Sequence, residues 1–149
     1  MFVERRLSLD DYFMELVFVV SKRSTCIRHK NGAVLVRGKH VLSTGYNGAP
    51  SGLLHCLKKG CIREEKGIPS GQRHELCRGV HAEANAIIQA ALHGVNTGNA
   101  TMYTTQQPCS MCAKMIINAK IKEVVYKHPY PDDLSRDLLK EAKIQFRRV

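Results

Sequence analysis

Apolar side chains at Phe13, Leu16, Val17 and Val20 recur at the i, i+3, i+4, i+7 spacing of one helical face, and Asp10 and Asp11 mark where that helix begins. Ala33 to Val36 and Val41 to Tyr46 read as two strands of a hairpin turning around Arg37-Gly38-Lys39. Val80 to His93 is an alanine-rich helix closed by Gly94 at C′. Ala100 to Thr105 is a strand, Cys109 to Asn118 a helix opened by Pro108, and Glu123 to Tyr126 a strand. A helix over Asp133 to Ala142 and a last strand over Lys143 to Arg147 complete the pattern. Strands alternating with helices predict parallel neighbours joined by right-handed crossovers. The expected fold class is therefore α/β, a three-layer α/β/α sandwich with a mixed five-stranded sheet.

Residues 50 to about 77 break this rhythm. They carry Pro50, Gly52, Gly60, Gly67, Pro69 and Gly71 together with three cysteines. So long a segment without periodicity inside a compact unit points to function or to a metal clamp. We read residues 1–149 as a single domain with a cysteine-bearing insertion at about 50–77.

Composition narrows the class. With 44% hydrophobic and 24% charged residues the chain is an ordinary globular one, not a disordered or fibrous one. No run approaches the roughly 18 to 20 apolar residues of a membrane-spanning helix. The stretch holding Glu4, Arg5 and Arg6 has no apolar leader core, so the expected location is cytoplasmic, with no membrane partner. The 23 Lys and Arg against 13 Asp and Glu give +10, which fits either attraction to phosphate groups or a solubilising surface. The basic residues are spread without an arginine-rich tail, and no nucleic-acid partner is expected. Six cysteines in a cytoplasmic chain of 149 residues point to metal before disulfides.

Two strings carry the chemistry: His81-Ala82-Glu83 and Pro108-Cys109-Ser110-Met111-Cys112. Cys109 and Cys112 are neighbours on one helical face, in a first turn whose dipole favours thiolate. With the imidazole of His81 they make three zinc ligands and leave a fourth tetrahedral position for water, the mark of a catalytic rather than a structural site. Two thiolates weaken the acidity of the metal, so a nearby base is needed, and Glu83 is the candidate. Positions i and i+2 do not share a face in mid-helix, so His81 and Glu83 reach one site only if it lies beyond the helix N-terminus. Gly79 just upstream would permit that abrupt approach. By composition, chance supplies about 0.4 His-x-Glu strings but only about 0.008 Pro-Cys-x-x-Cys strings, so the pair is specific where the first alone is weak.

The paired strings match the zinc-deaminase signature. The chain resembles the cytidine/deoxycytidylate deaminase superfamily, and within it the deoxycytidylate (dCMP) deaminases. Besides the zinc strings, the resemblance rests on Gly45-Tyr46-Asn47-Gly48-Ala49-Pro50, Arg23-Ser24-Thr25-Cys26, the segment around Cys56 and Ile121-Lys122-Glu123-Val124-Val125-Tyr126, and spans about Asp11 to Arg147. It implies hydrolysis of dCMP to dUMP and ammonia, with Glu83 carrying a proton from water to ring N3 while the attack falls on C4. It further implies Asn47 against the sugar or base edge, with Arg23 the preferred phosphate contact. A homo-oligomer, often a hexamer, and dCTP or dTTP as effectors are implied as well. dCMP is not separable from dCTP by physics, since both carry an anionic tail.

Cys26, Cys56, Cys61 and Cys77 remain, the number for a second, closed zinc site that resemblance also supports. His74 is a rival for one position and His55 a weaker one, while buried free thiols or disulfides are the alternatives. Two other functions stay open: a sibling deaminase acting on another base, nucleoside or tRNA adenosine, and a zinc-stabilised nucleic-acid-binding module without catalysis. Only 6% of residues are aromatic, which argues against a base-stacking surface.

Overall fold

The computed structural model describes residues 6–149. Helix α1 (Leu9–Ser21) is capped by the Ser8 hydroxyl, which accepts from the Asp11 amide at 3.1 Å. Strands β1 (Gly32–Arg37) and β2 (His40–Tyr46) form the hairpin, with Gly38 at φ +62° in its turn. The insertion is not featureless. It holds two single-turn helices, α2 (Cys56–Lys59) and α3 (Ile62–Glu65), and a 3-10 turn at His74–Leu76. Then come α4 (Ala82–Leu92), β3 (Thr101–Gln106), α5 (Ser110–Asn118), β4 (Glu123–His128), α6 (Asp133–Glu141) and β5 (Gln145–Arg148).

The five strands form one mixed sheet in the order β2-β1-β3-β4-β5. Strand β1 is antiparallel to both its neighbours, whereas β3, β4 and β5 run parallel. Period-two alternation sends neighbouring residues to opposite faces. On one face Val34, Val36, Tyr103 and Val125 pack under Phe13, Met14 and Val17 of α1. On the other, Ala33, Leu35, Met102 and Val124 pack against Ala86, Ile116 and Leu139 of α4, α5 and α6. The three-layer α/β/α sandwich is the architecture found.

Several boundaries differ from the sequence reading. Helix α4 starts at Ala82 rather than Val80, because Val80 exchanges both backbone hydrogen bonds with Gly48, 2.7 and 3.1 Å long. Lys143 turns at φ +57° instead of opening β5, so that strand begins at Gln145. Gly79 keeps an ordinary backbone, and a Cβ there would meet only normal contacts. The glycine that matters is Gly45 on β2. A Cβ at Gly45 would lie 2.3 Å from both Ala82 O and Ala86 N, so only a bare backbone lets α4 settle this close to the sheet.

A candidate metal and catalytic centre

Helix α4 runs back along the sheet to β3, and α5 leaves from the end of β3, so both helix N-termini meet beyond the carboxyl ends of the parallel strands. Open α/β sheets place ligands at this edge. His81 is the N-cap of α4, with φ −68° and ψ 154°, and Cys109 is the N-cap of α5, with φ −74° and ψ 170°. The cap position resolves the spacing problem, since an N-cap side chain lies at the helix mouth and not on a mid-helix face. Glu83, inside the first turn of α4, can then address the same point.

The ligand atoms of His81, Cys109 and Cys112 lie within 4.8 Å of one another, the one such trio among the described residues. His81 Nδ1 is 3.4 Å from each sulfur. The Cys112 thiol donates to Glu83 Oε2 at 3.7 Å. Glu83 is only 7% exposed, and burial raises its pKa above the usual carboxylate range. The bond to Cys112 is the leading cause that lowers the Cys109 thiol to about 4, while Cys112, the proton-keeping partner, is pushed up. The bond to Cys109 raises His81. A soft cation binds thiolates and a neutral imidazole, so its entry into this trio releases whatever protons the three groups hold. Two sulfurs and one imidazole nitrogen are a donor set zinc accepts, and the carboxylate stands beside them.

A cleft of about 80 Å³ opens beside His81, Glu83 and Cys109. Asn47 is among its lining residues. Its side chain is anchored: Oδ1 accepts from the Asn31 amide at 2.9 Å and from Ser24 Oγ at 2.6 Å, and Nδ2 donates to His29 O at 2.9 Å. Arg23 is not in this cleft. Its amide closes the last turn of α1 on Val20 O, and its side chain borders a separate depression with Tyr46, Asn85 and Gln89. Arg63, His74, Gln107 and Tyr130, none of which the sequence singled out for substrate, line the cleft instead. His74 Nε2 lies 3.2 Å from the Tyr130 hydroxyl, and its ring meets that of His81 edge-on with centroids 5.4 Å apart. It thus lines this cleft between Tyr130 and His81.

The group of the four remaining cysteines is looser. Burial raises the Cys56 thiol, and the charges of Cys26, Cys61 and Cys77 add to the shift, so all three lie near it. Among the described residues no disulfide joins them, and they do not close to the spacing of the His81 trio.

The family model for the cytidine and deoxycytidylate deaminase zinc-binding region matches residues 7–128. The chain belongs to the cytidine and deoxycytidylate deaminase family. The curated deoxycytidylate deaminase of Schizosaccharomyces pombe is 40% identical over 144 residues, which are 96% of this chain. The chain spans only 44% of the length of that relative. The deoxycytidylate deaminase of Mycobacterium phage D29 is 38% identical over 122 residues, covering 78% of this chain and 92% of its own. The dCMP deaminase of cyanophage S-TIM5, solved with dCMP and dUMP, superposes with a TM-score of 0.81 at 26% identity, over 98% of this chain and 100% of that one. The layered fold of this deaminase-family chain is thus that of a solved dCMP deaminase.

Proposed function

We propose that this chain hydrolyses dCMP to dUMP and ammonia with a zinc held by His81, Cys109 and Cys112. The observation that carries the reading is the buried Glu83 carboxylate set against a trio of ligand atoms that fit within 4.8 Å. Zinc, when bound there, supplies the Lewis acidity that activates water at neutral pH. Glu83 supplies the proton traffic. Its raised affinity for a proton suits a group that takes one from water, hands it to ring N3 and helps the leaving nitrogen depart as ammonia. Burial excludes bulk water and keeps the carboxylate facing the reacting carbon. Asn47, held on three sides, is a rigid wall for the sugar or base edge and spends no entropy when the substrate arrives.

We read Cys26, Cys56, Cys61 and Cys77 as the ligands of a second, structural zinc that pins the insertion to the core. Support comes from the number of thiols and their gathering around Cys56, and two zincs per chain are expected by elemental analysis. A cytoplasmic homo-oligomer responding to dCTP or dTTP follows from the resemblance alone.

Ammonia release from dCMP, cytidine, guanine and tRNA by zinc-loaded protein tests the function. Turnover of dCMP well above the others is expected. Preference for guanine or tRNA adenosine would move the chain to a sibling activity, and nucleic-acid binding without turnover would remove the enzymatic reading.

A further inference from the structure

Cys109 sits between two peptide planes, and residues at the mouth of α6 hold both of them. The carbonyl of Pro108 accepts from the Ser135 hydroxyl at 2.6 Å, and the amide of Ser110 donates to Asp132 Oδ2 at 2.8 Å. Asp132 Oδ1 accepts from the Ser135 amide at 2.9 Å, which closes the group into a clamp. Asp132 is thus the N-cap of its own helix and also the partner of the first amide of α5, donors that no intrahelical bond satisfies. Peptide planes are rigid, so the backbone of Cys109 turns only about its φ and ψ. With both planes tied, φ −74° and ψ 170° are set, and the Cβ that carries the sulfur has one direction. Ser135 is fully buried, and among the described residues no cation pairs with Asp132 within 4.0 Å, so the carboxylate serves the two amides. Leu139 and Ile116 already join α6 and α5 through the shared core. The clamp adds aim to that adhesion.

We propose that Asp132, with Ser135, is a positioning residue for the metal site: it aims the Cys109 sulfur at the point where His81 and Cys112 converge, and so sets zinc affinity and ligand geometry. The inference rests on the zinc reading of the trio and adds residues that bond to no ligand side chain. A metal binds most tightly where its ligands wait in place, because ordering a side chain on binding subtracts from affinity. Hydrogen-bonded groups behind the ligands supply that order. The same residue reaches the cleft, since the Asp132 amide donates to Tyr130 O at 2.9 Å. One carboxylate residue therefore joins the Cys109 turn to a wall of the cleft.

The test measures zinc affinity, by competition with a chromogenic chelator, in the parent, Asp132→Asn, Ser135→Ala and Ile116→Val. Cys112→Ala, which removes a ligand, marks the zinc that belongs to the trio. Asparagine caps a helix as well as aspartate does but has one oxygen, so Asp132→Asn keeps α6 and turns an NH2 group, which cannot accept, towards the Ser110 amide. Its affinity for the trio's zinc should fall roughly 10- to 100-fold, and Ser135→Ala should shift the same way. Cobalt in place of zinc should show altered ligand-field bands in Asp132→Asn. Ile116→Val trims the packing of α5 without touching the clamp, and should keep the parent's affinity and bands. Parent-like affinity and bands in Asp132→Asn would overturn the proposal, as would an equal loss in Ile116→Val, which would reduce the clamp to packing. Should Ser135→Ala fail to fold, Asp132→Asn carries the comparison. Neither readout needs turnover: a parent that binds zinc at the trio but releases no ammonia from dCMP ends the deaminase reading and leaves the clamp decided. Zinc binding that Cys112→Ala leaves unchanged would place no metal at the trio, and the clamp proposal would fall with it.

Discussion

The thiol of Cys112 donates to Oε2 of Glu83 across 3.7 Å, joining the candidate base of α4 to a candidate ligand of α5. Glu83→Gln keeps the volume and removes the proton carrier. Zinc content should stay at the parent value, while kcat for dCMP should fall by about 1,000-fold or more. Elemental analysis and ammonia release on the same sample check both halves, and a variant that keeps full turnover would remove Glu83 from the chemistry.

Gly45→Ala sets a methyl group against the backbone of α4. The expected cost is about 3 kcal/mol or more in urea unfolding, because the atoms in the way are main-chain and cannot rotate aside. Gly38→Ala is the control, since nothing lies within 4 Å of its Cβ and only the positive φ is penalised, about 1 kcal/mol.

Asn47→Ala should destabilise the protein by roughly 2 to 3 kcal/mol, since it strips a partner from the Asn31 amide, the Ser24 hydroxyl and the His29 carbonyl together. Denaturant unfolding reads the loss. An effect on KM without one on stability would show that Asn47 works chiefly through the ligand.

The Arg147 guanidinium, bonded to Asp10 at 2.7 and 2.9 Å, holds that carboxyl below its usual value, although partial burial opposes the shift. A depressed folded pKa gives stability that is complete above the unfolded value of about 4 and drains away as pH falls through the folded one. Asp10→Asn should therefore flatten the acid limb of stability measured below about pH 5 while leaving its shape near neutrality alone. An unaltered acid limb would show that other carboxylates govern acid unfolding.

Cys61 is the N-cap of α3, the single turn that carries Arg63. Cys61→Ser should remove the second zinc and raise KM for dCMP more than it lowers kcat. One zinc per chain in both parent and variant would show instead that the four thiols hold no metal.

The sheet and the metal trio were legible because both obey short-range rules. Alternation at Ala33 to Val36 places two faces, and the spacing of Cys109 and Cys112 places two sulfurs. The presence of Arg63 and Tyr130 in the cleft was not, because it depends on where irregular backbone folds back. The available cues were indirect: Arg63 follows Cys61 by two residues, and Tyr130 sits between Pro129 and Pro131 just past the end of β4. Arg23 was expected at the phosphate as a basic residue near the end of the first helix, whereas in the fold it borders a depression separate from this cleft.

Gly48 and Val80 exchange both of their amide bonds, which welds the Asn47 wall to the mouth of α4. That side of the cleft moves as one piece with the sheet. The opposite bank, the irregular run past Arg63 and Gly71 towards Tyr130, is held by bonds within itself, Ile68 N to Arg63 O and Gln72 N to Pro69 O. Amide exchange should be slow at Gly48 and Val80 and fast over residues 66–73, with dUMP slowing only the latter.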